Sequence, residues 1–385
     1  MSTPAFHARP AGRFYHPELD VLRLFGFLMI FVHHSMPHLP EFYTKLGVPQ
    51  WAAEAISSVA ASGAFGVELF FMLSAYLVTE LMIRERLAKG TVNLGDFYIR
   101  RALRLWPLYL FILGVAWGMQ WWLPGQHIGW KALVAFLLMC GNWWTVFVGF
   151  PSSVIFPLWA VSVEEQFYLV WPWLLRRLKT RGVLWSVPVL LAMATCARWY
   201  LAARHTWESR IWCNTFAQLD AMALGILLAV VLGGTAPRIA RWHRWALVVM
   251  GYGCLLLAAS YFRIKADPLT ASRVLLGYPV AAVGAMAILL GVLRPNEGNK
   301  PSLIFPVLAY LGRISYGLYV FHICGLMFSD YHVPHQDSSL GRYLFRNAVA
   351  LSVTVMLAIA SYHLLEMPFL KLKKRFTHVE SGRAA

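Results

Sequence analysis

Charge is what this sequence has least of. Asp, Glu, Lys and Arg make up 14% of its 385 residues, where soluble domains carry about a quarter. Acids are scarcer still, 18 against 34 Lys and Arg. Cysteine is equally thin: Cys140, Cys196, Cys213, Cys254 and Cys324 stand singly, mostly inside apolar runs. An odd number without metal-ligand spacing argues against both a disulfide framework and a metal centre, so they read as small apolar fillers. No internal repeat, low-complexity tract or loop long enough for a separate soluble domain stands out. The first apolar run ends in His33-His34-Ser35-Met36-Pro37-His38 with no small-residue cleavage site. It reads as a retained helix and not a removed signal peptide.

What replaces charge is apolar sequence, 59% of the chain. It is gathered into runs such as 21–36, 65–82, 105–123 and 216–232. About 20 apolar residues make one helical crossing of a bilayer, and lipid offers the backbone no hydrogen-bond partners, so each run must be helical. The expected fold is an all-α, polytopic membrane bundle. The net charge of +16 is placed between the runs, as in Arg84-Glu85-Arg86 and Arg176-Arg177-Leu178-Lys179. Basic loops set orientation in a membrane, and this placement argues against nucleic acid as a partner.

The basic loops also fix a count. Crossings are expected near 20–38, 64–82, 104–123, 159–175, 183–203, 214–232, 245–262, 274–293, 312–329 and 344–365, with both termini in the cytoplasm. Segment 124–158 then makes no net crossing, although 133–141 is apolar; it is re-entrant or lies on the outer surface. About two thirds of the Lys and Arg fall inside on this scheme, as the positive-inside rule requires. It divides the chain into a cytoplasmic segment 1–18, a transmembrane domain 19–368 and a basic cytoplasmic tail 369–385.

Ionisable residues inside such helices call for a reason. Arg23 and His34 lie eleven residues apart on the first helix, so they share one face and stand about 16 Å apart along it. His34 is then a candidate base toward the outer side, or else an interhelical hydrogen-bond donor. Glu68, Glu164 and Glu165 fall at a similar depth, where a carboxylate can hold an imidazole in one tautomer; capping a helix start is the competing role. Arg100, Arg101 and Arg104, at the inner end of the third helix, suit phosphate or simply set orientation beside anionic lipid. Ser315, Tyr319 and His322 form a polar stripe that glues helices or lines a substrate path. Asp220 and Glu366 read as helix-end residues.

Taken in order, these elements resemble the membrane acyltransferase-3 family. Leu19-Asp20-Val21-Leu22-Arg23, followed after ten intervening residues by His34, is similar to the family's Arg-x10-His element. Gly66 through Tyr76, Arg101 through Tyr109 and Trp159 through Pro172 are similar to its next three. Weaker matches at 219–225 and 314–322 and Glu366-Met367-Pro368 close the series. The departures are Glu68 for the family's Asp, Ser74-Ala75-Tyr76 for Ser-Gly-Phe and Ala160 for Ser.

The resemblance implies an O-acyltransferase of bacterial surface glycans in the cytoplasmic membrane, with ten crossings. It implies an acyl-CoA co-substrate, most often acetyl-CoA, and no bound cofactor or metal. It makes His34 the base or transient acyl carrier, with Arg23 on its face and Glu164 and Glu68 tuning the imidazole. Arg100, Arg101, Arg104 and Tyr109 would meet the donor. Ser74, Trp159, Tyr168, Tyr319 and His322, with Glu68, would line the pocket for a glycan or lipid-linked sugar acceptor. A secondary transporter using His34, Glu164 and Arg23 as a relay is the main alternative, and a sensor or inactive scaffold a further one. The first would be marked by inverted repeats, which the sequence does not display, and the second by a closed, dry core around His34.

Overall fold

The structure, a computed structural model, describes residue 9 and residues 14–265, 269–294, 304–333 and 339–377. Most of the expected cytoplasmic N-terminal segment and the end of the basic tail lie outside these residues. The described residues contain no strand. Ten principal helices match the ten expected apolar segments in order. They are α1 (Pro17–Ser35), α2 (Gly66–Lys89), α3 (Leu94–Met119), α4 (Trp159–Arg177) and α5 (Thr180–Ala203), followed by α6 (Leu219–Leu232), α7 (Arg241–Ser260), α8 (Ala271–Val292), α9 (Ser315–His332) and α10 (Leu340–Ser361).

Not all ten are credible crossings by themselves. Six helical stretches are long and apolar enough, and a seventh if Phe305–Arg313 and α9, bent by 75° at their junction, count as one. The shortfall has a chemical cause. Helix α1 carries Glu18, Asp20 and Arg23, and α4 carries Glu164, Glu165, Arg176 and Arg177, while α6 has only 14 residues. The protein is therefore a multi-pass membrane protein in which Glu18, Asp20, Arg23 and Glu164 face inward, within a jacket of apolar side chains. Exposed Trp185, Trp199, Val249 and Phe345 show that jacket's outer face, a surface that only lipid or another apolar partner suits.

Segment 124–158 breaks into two short helices, Trp130–Leu137 and Gly141–Phe147, neither approaching the length of a crossing. It is tied down at several points. Tyr109 Oη donates to the Phe136 carbonyl (2.7 Å), and Gln166 Nε2 donates to Asn142 Oδ1 (2.8 Å) and to the Met139 carbonyl (2.9 Å).

Two close approaches set the bundle's centre. A Cβ on Gly66 would stand 2.3 Å from the Gly26 carbonyl oxygen, so α1 and α2 cross backbone to backbone just below His34. A Cβ on Gly225 would stand 2.4 Å from the Met72 carbonyl oxygen and 3.1 Å from the Ala75 Cβ. The methyl that Ala75 adds, relative to the expected Gly, thus fits because α6 presents a glycine there. At the chain's other end α10 runs through a π-helical turn, Tyr362–Glu366, into Met367–Lys373. Pro368 in that last turn cannot supply the next helical N–H, and the distortion swings Glu366 and the lysines after it back toward the bundle.

Candidate active site

Two cavities lie end to end in the bundle. The larger, about 1130 Å³, is bordered by α1, α2, α3, α4, α9 and the Met367–Lys373 helix. The smaller, about 150 Å³, lies beside His34. Val67 and Tyr319 line both and form the partition between them. Tyr319 Oη is held there by donating to the Pro157 carbonyl (2.5 Å).

Helical spacing decides which residues reach which space. Arg23 lines the large cavity and His34 the small one, so a single face of α1 serves both. On α2 the lining stripe is Val67, Phe70, Phe71 and Ser74. On α4 it is Ala160, Val161, Glu164 and Tyr168, with Trp159 reaching the small cavity instead.

The large cavity is strongly cationic. Arg23, Arg101, Arg104, Arg313, Lys371, Lys373 and Lys374 line it against Asp20, Glu164 and Glu366. Arg23 is committed to Asp20 (2.8 Å), which also accepts from Tyr15 Oη (3.1 Å). Among the described residues, Arg101, Arg104, Lys371, Lys373 and Lys374 have no ion pair. Arg101 lies over the Tyr168 ring at 4.5 Å and near that of Phe97 at 5.6 Å, an arrangement that orients the guanidinium without neutralising it. The lysines were read in sequence as orientation charge, and the fold back at Pro368 is what brings them here. Glu366 joins them, accepting from Ser361 Oγ at 3.4 Å.

The small cavity has a different character. Phe150, Phe156, Trp159 and Trp212 form its walls, with His33, His34 and Lys265 as its polar groups. His34 Nδ1 meets His322 Nε2 at 2.8 Å, and the two rings lie edge to edge and 21° from parallel, with centroids 5.0 Å apart. Phe156 meets the His34 ring edge-on at 5.4 Å. His33 points elsewhere, to the Ala60 carbonyl (3.2 Å), and stacks on His38. Lys265 lies 4.2 Å above the Trp212 ring and pairs with Glu208. Lys265, Phe150, Phe156 and Trp212 were missed in the sequence, because residues on loops and single helical turns far apart in the chain leave no periodic signal.

Several expected placements are corrected. Glu164 is not beside His34; it sits in the large cavity, accepting from Ser74 Oγ (2.8 Å) and Tyr168 Oη (3.4 Å). Glu68 faces neither cavity. It lies one residue off the lining stripe of α2, about 100° around the helix, and both its oxygens are buried without a partner. Arg100 also falls off its stripe, pairing with Glu85 (2.9 Å) and donating to the Phe376 carbonyl (2.7 Å). Tyr109 is committed to Phe136, outside the cavity lining. His322 is fully buried behind His34 and lines no cavity. Asp220 keeps the structural role expected of it, in the first turn of α6 and paired with the buried Arg198 (2.8 Å). Among the described residues, no group of His, Cys, Asp and Glu could hold a metal ion.

Comparison with known proteins adds a family to this geometry. A family model described as an acyltransferase domain, of the acyltransferase-3 type, matches residues 16–363. The O-acetyltransferase OatA of Staphylococcus aureus is 25% identical over 374 residues, covering 93% of this chain and 57% of that protein. YrhL of Bacillus subtilis, named as a candidate peptidoglycan O-acetyltransferase, is 28% identical over 376 residues, covering 92% of this chain and 55% of its own length. The chain spans a little over half the length of the curated relatives it matches. No solved structure matches it. With the family match running from the start of α1 through His363, the chain belongs to the acyltransferase-3 family of acyl-transferring membrane enzymes.

Proposed function

We propose that the chain moves an acyl group, acetyl in the first instance, from acyl-CoA to a hydroxyl of a glycan or lipid-linked sugar. The observation that carries this reading is the pair of cavities with opposite chemistry meeting at Val67 and Tyr319. A donor with three phosphate groups suits a space ringed by cations that lack partners in the protein, because charge-assisted contacts to phosphate are among the strongest available. A sugar suits the aromatic walls beside His34, which offer flat apolar faces with a few polar groups among them. The relatives' printed activity, O-acetyl transfer, agrees with an oxygen acceptor.

In this reading the donor enters the arginine-lined cavity and its thioester reaches past Tyr319 to His34. His34 takes the proton of the acceptor hydroxyl as the oxygen attacks the thioester carbonyl carbon. The carbon–sulfur bond then breaks, and His34 returns the proton to the departing thiolate. The products are an ester and a free thiol, with no net change in protons. A positioned base of this kind contributes roughly 10²–10⁴-fold to the rate.

The same reading takes all ten helices as crossings of the bacterial cytoplasmic membrane, with both termini and the arginine end of the bundle inside. Charged α1 and α4 are then tolerated because their polar faces line cavities and not lipid.

The test is transfer of labelled acetyl from acetyl-CoA in membrane vesicles carrying the full chain, alongside His34→Ala. Labelled glycan or lipid with the wild type and none with His34→Ala supports the proposal. Equal labelling by both proteins would remove His34 from the chemistry. Mass spectrometry of glycans and lipids from cells with and without the gene identifies the acceptor by a mass difference of one acyl group.

A further inference from the structure

We propose that His322 is a positioning residue that fixes His34 as its Nδ1–H tautomer, leaving Nε2 bare to receive the acceptor's proton. The inference rests on the reading of His34 as the base and adds how that base is held ready.

It follows from which atoms can donate. His322 Nδ1 lies against the backbone carbonyl of Tyr319, one turn earlier on α9. A carbonyl oxygen only accepts, so Nδ1 of His322 carries the proton. In the neutral ring Nε2 is then an acceptor. The atom facing it at 2.8 Å is His34 Nδ1, which must therefore be the donor. The second nitrogen of His34, Nε2, is left without a proton and without a hydrogen-bond partner among the described residues, on a ring that lines the small cavity. The alternative, a doubly protonated His322 donating at both nitrogens, would put a cation at a site with 0% exposure. No carboxylate is hydrogen-bonded to either ring, so that charge would be buried uncompensated.

A carbonyl thus does the work that a carboxylate does in many His-based sites, through one intervening imidazole. This also explains why neither Glu164 nor Glu68 stands beside His34. Tyr319 contributes twice: its carbonyl sets His322, and its hydroxyl, on Pro157, fixes the helix turn from which that carbonyl projects.

The experiment compares wild type, His322→Leu, His322→Gln and His34→Ala in lipid nanodiscs, measuring kcat and the KM for each substrate. His322→Leu removes the acceptor for Nδ1–H and is expected to lower kcat about 10²-fold or more, with each KM within about twofold. His322→Gln returns a side-chain carbonyl to that position and is expected to recover kcat to within about tenfold of wild type. Wild-type kcat in His322→Leu would overturn the inference, as would equal loss in His322→Leu and His322→Gln. Full activity in His34→Ala is a separate result, which removes the base itself. A readout independent of folding in the variants is ¹⁵N NMR of wild-type protein labelled at histidine, with the His34 signals assigned by their loss in His34→Ala. A proton on His34 Nδ1 is expected, and a proton on Nε2 alone would overturn the proposal.

Discussion

Ser74 Oγ donates a 2.8 Å hydrogen bond to Glu164 Oε1, and Tyr168 Oη approaches the other carboxylate oxygen at 3.4 Å. Two hydroxyls, one on α2 and one on α4, thereby hold the acid in the arginine-lined cavity, one partition away from His34. That placement separates two jobs that look alike in sequence. A carboxylate tuning the base would govern the chemical step. One fixed among cations would, in the proposed reading, govern how the donor sits.

Glu164→Gln is therefore expected to change the KM for acyl-CoA by up to about tenfold while leaving kcat within a few-fold of wild type. Steady-state kinetics with both substrates varied make the check. A loss of kcat by about 10²-fold at unchanged KM would return Glu164 to the chemistry.

Arg101 and Arg104 are expected to behave differently from Arg100, although the three are near neighbours in sequence. Arg101→Glu with Arg104→Glu should raise the KM for acyl-CoA tenfold or more, since each charge-assisted contact contributes roughly 1.5–3 kcal/mol. The KM for the acceptor should stay near wild type. Arg100→Ala instead leaves Glu85 without its partner and should lower the thermal stability, with little effect on the KM for the donor.

Glu68 provides a contrast with Asp220. Both oxygens of Glu68 are buried and unpartnered, so Glu68→Gln or Glu68→Leu should fold as well as wild type or better, with a gain on the order of 1 kcal/mol. Asp220→Leu strands the Arg198 guanidinium, whose exposure is 1%, and should destabilise by about 3–5 kcal/mol. Thermal unfolding followed by Trp fluorescence in detergent separates the two outcomes.

Orientation is checked by chemistry at lysine. An impermeant amine reagent applied to intact cells should label Lys45 and Lys131 but spare Lys89 and Lys179. Reaction of the latter pair would reverse the proposed orientation.

Much of the fold was legible because a membrane imposes long apolar runs and places basic residues between them. All ten expected segments have their helices, and the pairing of Arg23 with His34 on one face follows from eleven-residue spacing alone. The errors have one physical origin. Glu164 and His34 were joined because they share a depth, yet depth says nothing of direction around a helix axis. Glu68 beside Val67, and Arg100 beside Arg101, differ from their cavity-lining neighbours by a single step of 100°. Lys265 and Phe150 reach the small cavity from loops and Trp212 from the short helix Glu208–Trp212, and Lys371 and Lys373 reach the large one only through a π-turn. No sequence period records either event.

The polar load on α1 and α4 also bears on how the protein is made. At the centre of a bilayer a Lys, Arg or Asp costs roughly 2.5–3.5 kcal/mol on the translocon scale. Glu18, Asp20 and Arg23 stand on α1, which is made well before the helices that cover it. That helix gains its shelter only when α2 crosses it at Gly66 and Gly26 and when α9 arrives, nearly 300 residues later, to meet His34. In the proposed ten-crossing topology, α1 is therefore expected to settle in the bilayer together with the later helices that shelter its polar side chains.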